Sequence, residues 1–474
     1  MPFSGAVLAR AARRRRPRSD ARRARTLRRR PEKTMTETDT VISETPSFNP
    51  VRAWIVTILL SLMMLVNFLD KVVLGLVSVP MMRDLHLSST EFGVIGGSLN
   101  WLFSISAVIG GIVANRTSTK PLLLLMGAAW AILQLPMLFA GSLWGVLVCR
   151  VLLGASEGPA SPVSVHALYK WFPDKKRNLP VAVLFQGSSL GLLIAGLCIP
   201  VISTHWGWRA NFLALAALGI FWCIAWLLFG AEGRLTTRAR VTSEARVPYA
   251  ILLTDRTILG TFAGHFAANW ILAMTLTWTP RWLQLGMGYD AHAAGRIFAL
   301  FVAVTAPMSL GLATLSQRML ERGVPSRIGR GAFVAVALML AGTLLAALKL
   351  FDPPPVVKCV LLTLGGGMTL AMYSIGPAIL GEVTPDTQRG GILALSNGFS
   401  SLAGLAAPVV TGMLIDQAGG ATAHGFESAS LASGIVLLAC GGLCACWLDP
   451  QRSATRIACG VTATKVSQTI AAPD

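Results

Sequence analysis

Charge is what this chain has least of. Asp, Glu, Lys and Arg make up 13% of its 474 residues, hydrophobic residues 53%, and mean hydropathy is +0.61. A soluble domain carries about 25% charged residues, so the composition excludes one and points to an integral membrane protein. Metal and redox spacing are missing too. Eight cysteines are present, but the cluster "CGGLCAC" (Cys440–Cys446) lacks the paired Cys and His spacing of a zinc site. Cysteines in apolar segments behave as small buried hydrophobes. No nucleophile–base pair stands out in the loops, so no enzyme, cofactor or metal is expected. A cleavable signal peptide is not expected either, the only apolar part of the head being "GAVLA".

What charge there is lies unevenly. Of the formal net charge of +19, residues 1–34 hold +11: twelve Arg and Lys33 against Asp20 and Glu32. Such a head can neutralise phosphates or anionic lipid, or serve as an Arg-rich transit peptide. The reading favoured is a disordered extension, with Met35 as the true start, because blocks of like charge stay disordered. No nucleic-acid partner is expected.

Crossing about 30 Å of hydrocarbon takes about 20 mainly apolar residues. Such runs fall near 53–80, 92–114, 121–140, 144–170, 179–203, 210–231, 257–283, 294–317, 331–350, 357–382, 390–415 and 427–448. The connections between them alternate in charge: one set holds Arg116 and Lys120, Lys175–Arg177, Arg234–Arg246, Arg318–Arg330 and Arg389, while the other is short and nearly neutral. Basic loops face the cytoplasm, which places both termini inside. The expected fold is therefore an all-α membrane protein of twelve transmembrane helices in two pseudo-symmetric six-helix bundles. Its parts are an extension (1–52), a first bundle (53–231), a linker (232–256), a second bundle (257–448) and a cytoplasmic tail (449–474).

The halves resemble each other. "FPDKKRN" after span 4 and "TPDTQRG" after span 10 share P-D-x-x-R at an offset of 385 − 173 = 212 residues. "FQGSS" (185–189) and "SNGFS" (396–400) hold the same place in spans 5 and 11. Repeated halves with a site at their interface are the architecture of many secondary transporters.

Four ionisable residues lie deep in spans: Asp70 and Lys71 in the first, Arg150 and Glu157 in the fourth. An intramembrane charge costs about 2.5–3.5 kcal/mol even on the lenient insertion scale and tends to be kept for function. Arg150 and Glu157 share a helix face seven residues apart, roughly 10 Å at 1.5 Å rise. Each therefore needs a partner elsewhere or a ligand. Lys71 and Arg150 suit an anion, lysine as a point charge and arginine as a bidentate fork. Asp70 and Glu157 can take up protons. A buried network that only orients helices is the plainer alternative. The second half offers neutral groups instead: Asn269, Ser374, Ser396 and Asn397. His166 and His265 read as packing or hydrogen-bonding residues.

These stretches resemble the major facilitator superfamily, and within it the anion:cation symporters. The resemblance covers about residues 53–448 and rests on "FLDK", "RVLLGASEGP", "KWFPDKKR", "GWRANF" and "LTWTPRWL". It implies alternating access and proton-coupled uptake of a small organic anion, an aromatic or sugar acid, across the inner (plasma) membrane by a monomer in the lipid bilayer. By position it implies proton-handling roles for Asp70 and Glu157. It implies substrate contacts at Lys71 (where arginine is usual), Arg150, Gln186 and Asn397. Phe68 and Phe103 stand where sugar-acid carriers have tyrosines, which tilts the expected substrate towards a less hydroxylated acid. "GGIVANRTSTK" is similar to the superfamily's loop between spans 2 and 3, so Gly111, Asn115, Arg116 and Lys120 are the expected gating loop. Asn115 replaces the usual acid and Ser118 the usual glycine. Two rivals stand beside symport: an anion exchanger of the same fold, and a membrane sensor using the basic head.

Overall fold

A computed structural model describes residues 49–173, 176–233, 247–385, 387–420 and 423–457; the basic head, most of the linker and the end of the tail lie outside these. The first half holds α1 (Pro50–Leu76), α2 (Ser78–Asp84), α3 (Ser89–Ser98), α4 (Asn100–Arg116), α5 (Thr119–Gln134), α6 (Leu143–Glu157), α7 (Ala160–Tyr169), α8 (Asn178–Trp206) and α9 (Arg209–Phe229). The second half holds α10 (Tyr249–Leu253), α11 (Arg256–Thr277), α12 (Thr279–Arg281), α13 (Ala291–Glu321), α14 (Phe333–Leu350), α15 (Pro355–Thr369), α16 (Ala371–Val383), α17 (Arg389–Gln417) and α18 (Ala423–Trp447). All the regular structure among the described residues is helical, as a bilayer requires of any chain that does not close into a barrel.

Among the described residues, ten helical segments are long and apolar enough to cross a membrane. Two expected spans do not meet that measure. The fourth is divided into α6 and α7, and α11 carries His265, Asn269 and four threonines.

Five expected spans are interrupted rather than continuous, span 2 among them at Leu99 between α3 and α4. The first ends at Leu76, and Ser78 then donates its hydroxyl to the Gly75 carbonyl at 2.7 Å as α2 begins. The fourth breaks at Gly158–Pro159, because proline has no N–H for the carbonyl one turn back and its ring crowds that carbonyl. The seventh stops at Trp278, two residues before Pro280. The tenth breaks at Leu370, after Gly365, Gly366 and Gly367, each about 1 kcal/mol poorer than alanine in a helix.

Within each half, tryptophan indoles lock helices together. Trp222 donates to the Leu59 carbonyl (2.7 Å), Trp226 to Lys120 (2.9 Å) and Trp278 to Pro408 (3.0 Å). Between halves, α3 and α4 meet α17, α8 meets α13 and α1 meets α11. These meetings are made by small residues: a Cβ on Gly75 would overlap the Leu276 carbonyl, and one on Gly295 the Gly196 carbonyl. They lie at the C-terminal ends of α1, α8, α11 and α17 and the N-terminal ends of α3 and α13, so the halves close on each other at one end. At that end Asp416 accepts hydrogen bonds from the Ser89 amide (3.0 Å) and from the Thr90 amide (2.7 Å) and hydroxyl (2.6 Å), capping α3 from across the interface.

At the opposite end, α7 and α16 each leave a stripe uncovered. On α7 it is Ser161, Pro162, Val165, His166, Tyr169 and Lys170; on α16 it is Tyr373, Ser374, Pro377, Ala378, Gly381 and Glu382. Lipid-facing stripes look different, as Leu213, Ile220, Phe221, Ile224 and Leu228 of α9 show. Polar and small residues on an uncovered face line water, so the interior is open at the P-D-x-x-R end.

Candidate functional site

The four deep charges come together where α6 breaks. Backbone approach makes this possible: a Cβ on Gly154 would overlap the Leu99 carbonyl, and one on Gly158 the Phe103 carbonyl. Glycine at both positions brings α4 against α6, which sets Phe103 beside the last turn of α6.

Partners for the two charges of α6 are supplied by α1. Arg150 Nη1 lies 3.4 Å from both the Asp70 carboxylate and the Asp70 carbonyl, with both side chains buried. Lys71 Nζ lies 3.8 Å from Glu157. Glu157 also neighbours Asp70, yet neither of its oxygens receives a hydrogen bond of ordinary geometry, and Arg150 Nε is unbonded as well. Unbonded buried polar atoms of this kind are uncommon and mark a network that is poised rather than saturated.

One member of the cluster reaches the interior space. The Lys71 side chain is 17% exposed, against 3% for Arg150 and Asp70 and 0% for Glu157. Its ammonium sits 4.7 Å from the centre of the Phe68 ring and 4.9 Å from that of Phe103. Cation–π contacts of this geometry contribute about 0.5–2 kcal/mol each. The two phenylalanines thus hold the lysine. Arg150 faces inward to Asp70 and presents no fork to the interior in this conformation.

The neutral residues sit on the facing walls. Gln186 is exposed on α8, on the face that carries Gly196 and Pro200 towards α13. Asn397 is exposed on α17, and its carbonyl accepts from the Ser400 (2.9 Å) and Ser401 (3.0 Å) hydroxyls. Ser104 donates to Ser401 across the halves at 2.6 Å. His265 pairs with Ser396 at 2.6 Å and is buried, the hydrogen-bonding role expected of it.

The loop between α4 and α5 is held by a residue that sequence reasoning missed. Glu232, just past α9, accepts from the Ser118 hydroxyl (2.9 Å), the Thr119 amide (3.1 Å) and hydroxyl (2.9 Å), and the Lys120 amide (2.8 Å). Lys170 Nζ completes the ring at 2.5 Å. Partial burial opposes ionisation of Glu232, but Lys170 and the amides outweigh it and hold the carboxyl at about 2. Of the expected gating residues, Lys120 takes part through its backbone, whereas Gly111 has open space around its Cα. Arg116 ends α4 and is exposed. The Asn115 side chain lies outside the described residues. An acid beside the proline-free "AEGR" carried no signal in the linear sequence; only the fold brings it to the α5 N-terminus.

A family model described as the Major Facilitator Superfamily matches residues 60–372. The chain belongs to the major facilitator superfamily. Its relatives include a hexuronate transporter of Bacillus subtilis, 25% identical over 372 residues that span 75% of this chain and 86% of the relative. A probable sulfoacetate transporter of Cupriavidus necator is 26% identical over 82% of this chain and 92% of its own length. A D-galactonate transporter of Escherichia coli is 22% identical, over 80% and 93%. Among solved structures, a bacterial homolog of the human lysosomal transporter Spinster superposes with a TM-score of 0.73 at 18% identity, covering 86% of this chain and 98% of that one. A D-xylose–proton symporter gives 0.69 at 14% identity, over 84% and 99%. These structural likenesses establish the fold. The protein is a multi-pass membrane transporter, not an enzyme, and its relatives in sequence carry anions.

Proposed function

We propose that this transporter moves a small organic anion together with protons, inward across the cell's inner membrane, by exposing one central site alternately to each side. The observation that carries the reading is Lys71: a cation at bilayer depth, braced by two rings, partly open to the interior and backed by a buried acid. Twelve membrane-crossing segments in two six-helix bundles, both termini in the cytoplasm and a monomeric unit complete the proposal. The open end then faces the cytoplasm, where the basic loops lie.

In this reading each acid competes with substrate for its cation. At an effective dielectric of about 20, unit charges 3.8 Å apart attract by about 4 kcal/mol before desolvation. Protonating Glu157 removes that attraction and frees Lys71 for a carboxylate. Protonating Asp70 does the same for Arg150, whose fork then joins the site. Gln186 and Asn397 contact the bound anion from the facing walls. Anion and protons therefore load together, and the transported complex carries less negative charge than the anion alone.

Uptake into proteoliposomes tests this. With an imposed inside-alkaline gradient and no internal anion, labelled carboxylate should accumulate. Glu157→Gln should retain exchange of labelled for unlabelled substrate, which needs only the loaded form to reorient, and should lose accumulation. Uptake that requires an internal counter-anion would instead establish an exchanger.

A further inference from the structure

The repeat relating the halves extends to the shape of the pathway. Gly158, where α6 breaks, and Leu370, where α15 breaks, are separated by 370 − 158 = 212 residues, the offset of the P-D-x-x-R loops. The uncovered stripes of α7 and α16 correspond residue for residue at that offset: 161 with 373, 162 with 374, 165 with 377, 166 with 378, 169 with 381 and 170 with 382. Interrupted helices at corresponding positions of two halves mark the binding region of a secondary transporter. The first half puts Glu157 beside its break. The second has the neutral Thr369 at the equivalent place beside its break. Another chemistry must line that wall.

Tyr373 supplies it. The side chain is 39% exposed, on a stripe otherwise made of Ser374, Pro377, Ala378, Gly381 and Glu382. Its hydroxyl donates to Asn269 Oδ1 at 3.1 Å, and Asn269 Nδ2 donates to the Ser400 carbonyl at 2.7 Å. Asn269 is itself the counterpart of a site residue. The turns ending α1 and α11 fall at Val77 and Trp278, an offset of 201, which sets Asn269 over Phe68. The Ser400 and Ser401 hydroxyls both donate to the Asn397 carbonyl, and Ser104, the neighbour of Phe103, donates to Ser401. Neutral hydrogen-bonding groups thus run from the Lys71 cage to Tyr373.

A Tyr–Asn bond that merely fastened α16 to α11 would not need an exposed ring edge. After their mutual bond, the tyrosine oxygen keeps its lone pairs and the asparagine keeps one N–H. One acceptor and one donor side by side match an alcohol, which both gives and takes a hydrogen bond. We infer that Tyr373 and Asn269 form the neutral half of the substrate site and bind a hydroxyl of an acid whose carboxylate is held at Lys71. The inference rests on the anion-carrier reading above. The hydroxyls absent from Phe68 and Phe103 are supplied from the opposite wall, and the substrate class is a hydroxylated acid rather than a plain aromatic one.

The test measures dissociation constants of the purified protein for gluconate and for hexanoate, acids of equal chain length and charge that differ in their hydroxyls. The wild type should bind gluconate more tightly. Tyr373→Phe keeps the ring and should shrink that preference about 3- to 10-fold, the worth of a neutral hydrogen bond, with hexanoate affinity unchanged as proof of an intact fold. An unchanged preference, an equal loss for both acids, or a wild type that favours hexanoate would overturn the assignment. A wild type that binds neither acid would overturn the anion-carrier reading itself.

Discussion

Replacing Lys71 by glutamine is the sharpest perturbation of the proposed site. Lys71 is the one member of the four-charge cluster that reaches the interior, 3.8 Å from Glu157 and within 5 Å of two ring centres. Glutamine keeps much of the side-chain length and a hydrogen-bond donor but removes the charge. A charge-assisted hydrogen bond contributes about 1.5–3 kcal/mol, so the dissociation constant for a carboxylate should rise about 10- to 150-fold. Loss of the two cation–π contacts lowers the stability of the ligand-free protein rather than its affinity, so the two effects separate in one assay. Ligand-induced thermal shift supplies both: the unliganded midpoint reports the rings and the Glu157 pair together, and its dependence on carboxylate concentration reports the site. Lys71→Arg, which keeps the charge, should bind within about fivefold of wild type. Glu157→Gln removes the competing acid and should bind at least as tightly as wild type. A Lys71→Gln protein whose affinity stays within threefold of wild type would refute Lys71 as the anchor, whatever its stability.

Two predictions concern the ends of the molecule. Glu232→Gln should destabilise the protein by about 1–2 kcal/mol at pH 7; the full shift from 4.5 to about 2 would give more, but the partly exposed site is screened. Because the folded carboxyl titrates below its unfolded value, this advantage is present above pH 4.5 and lost as pH falls towards about 2. A wild-type-minus-variant difference that is the same at pH 7 and pH 3 would refute it. Asp416→Asn weakens a carboxylate cap worth about 1–2 kcal/mol at the α3 N-terminus, so exchange of the Ser89 and Thr90 amides should speed up about 5- to 30-fold by hydrogen-exchange mass spectrometry; unchanged exchange would rule out the cross-half latch.

Much of the site was legible in the sequence because charge is so rare in it. Four ionisable residues in otherwise apolar runs stand out without any structure, and the seven-residue gap between Arg150 and Glu157 correctly required partners off their own helix. Which partner went to which residue was not legible, since it depends on how α1 and α6 meet in the fold, and even the close approach of α4 to α6 at Gly154 and Gly158 is a backbone contact that hydropathy does not encode. The helix breaks were half visible: Pro159 announces one, while Leu370 follows a glycine run that reads equally well as helix packing. At Phe68 and Phe103 the missing hydroxyls are visible in sequence, whereas a lysine held between the two rings is not. Glu232 was invisible for the same reason. Its partners lie 62 to 114 residues away.

The two kinds of helix contact explain how such a molecule can be firm and still move. Inside each half, indole N–H groups reach backbone carbonyls of neighbouring helices, and large rings such as Trp226, Trp278 and Phe298 are fully buried. Parting those contacts strands buried donors, at about 1–3 kcal/mol each. Across the halves the contacts are more mixed: glycine against carbonyl, the Ser104–Ser401 and Thr204–His292 pairs, the buried Phe92 ring edge-on to Trp278, and a carboxylate resting on a helix end that water can solvate equally well once exposed. Water can replace the polar ones among them once the halves part. On the proposed mechanism the halves therefore rock as rigid bodies, and the bound anion decides the balance. Its carboxylate engages the first half at Lys71 and its neutral end engages the second at Tyr373 and Asn269, so only a ligand with both ends holds the halves in a closed state. A plain carboxylate would bind one half and leave the other indifferent, and differential affinity for the closed state is what drives a conformational change.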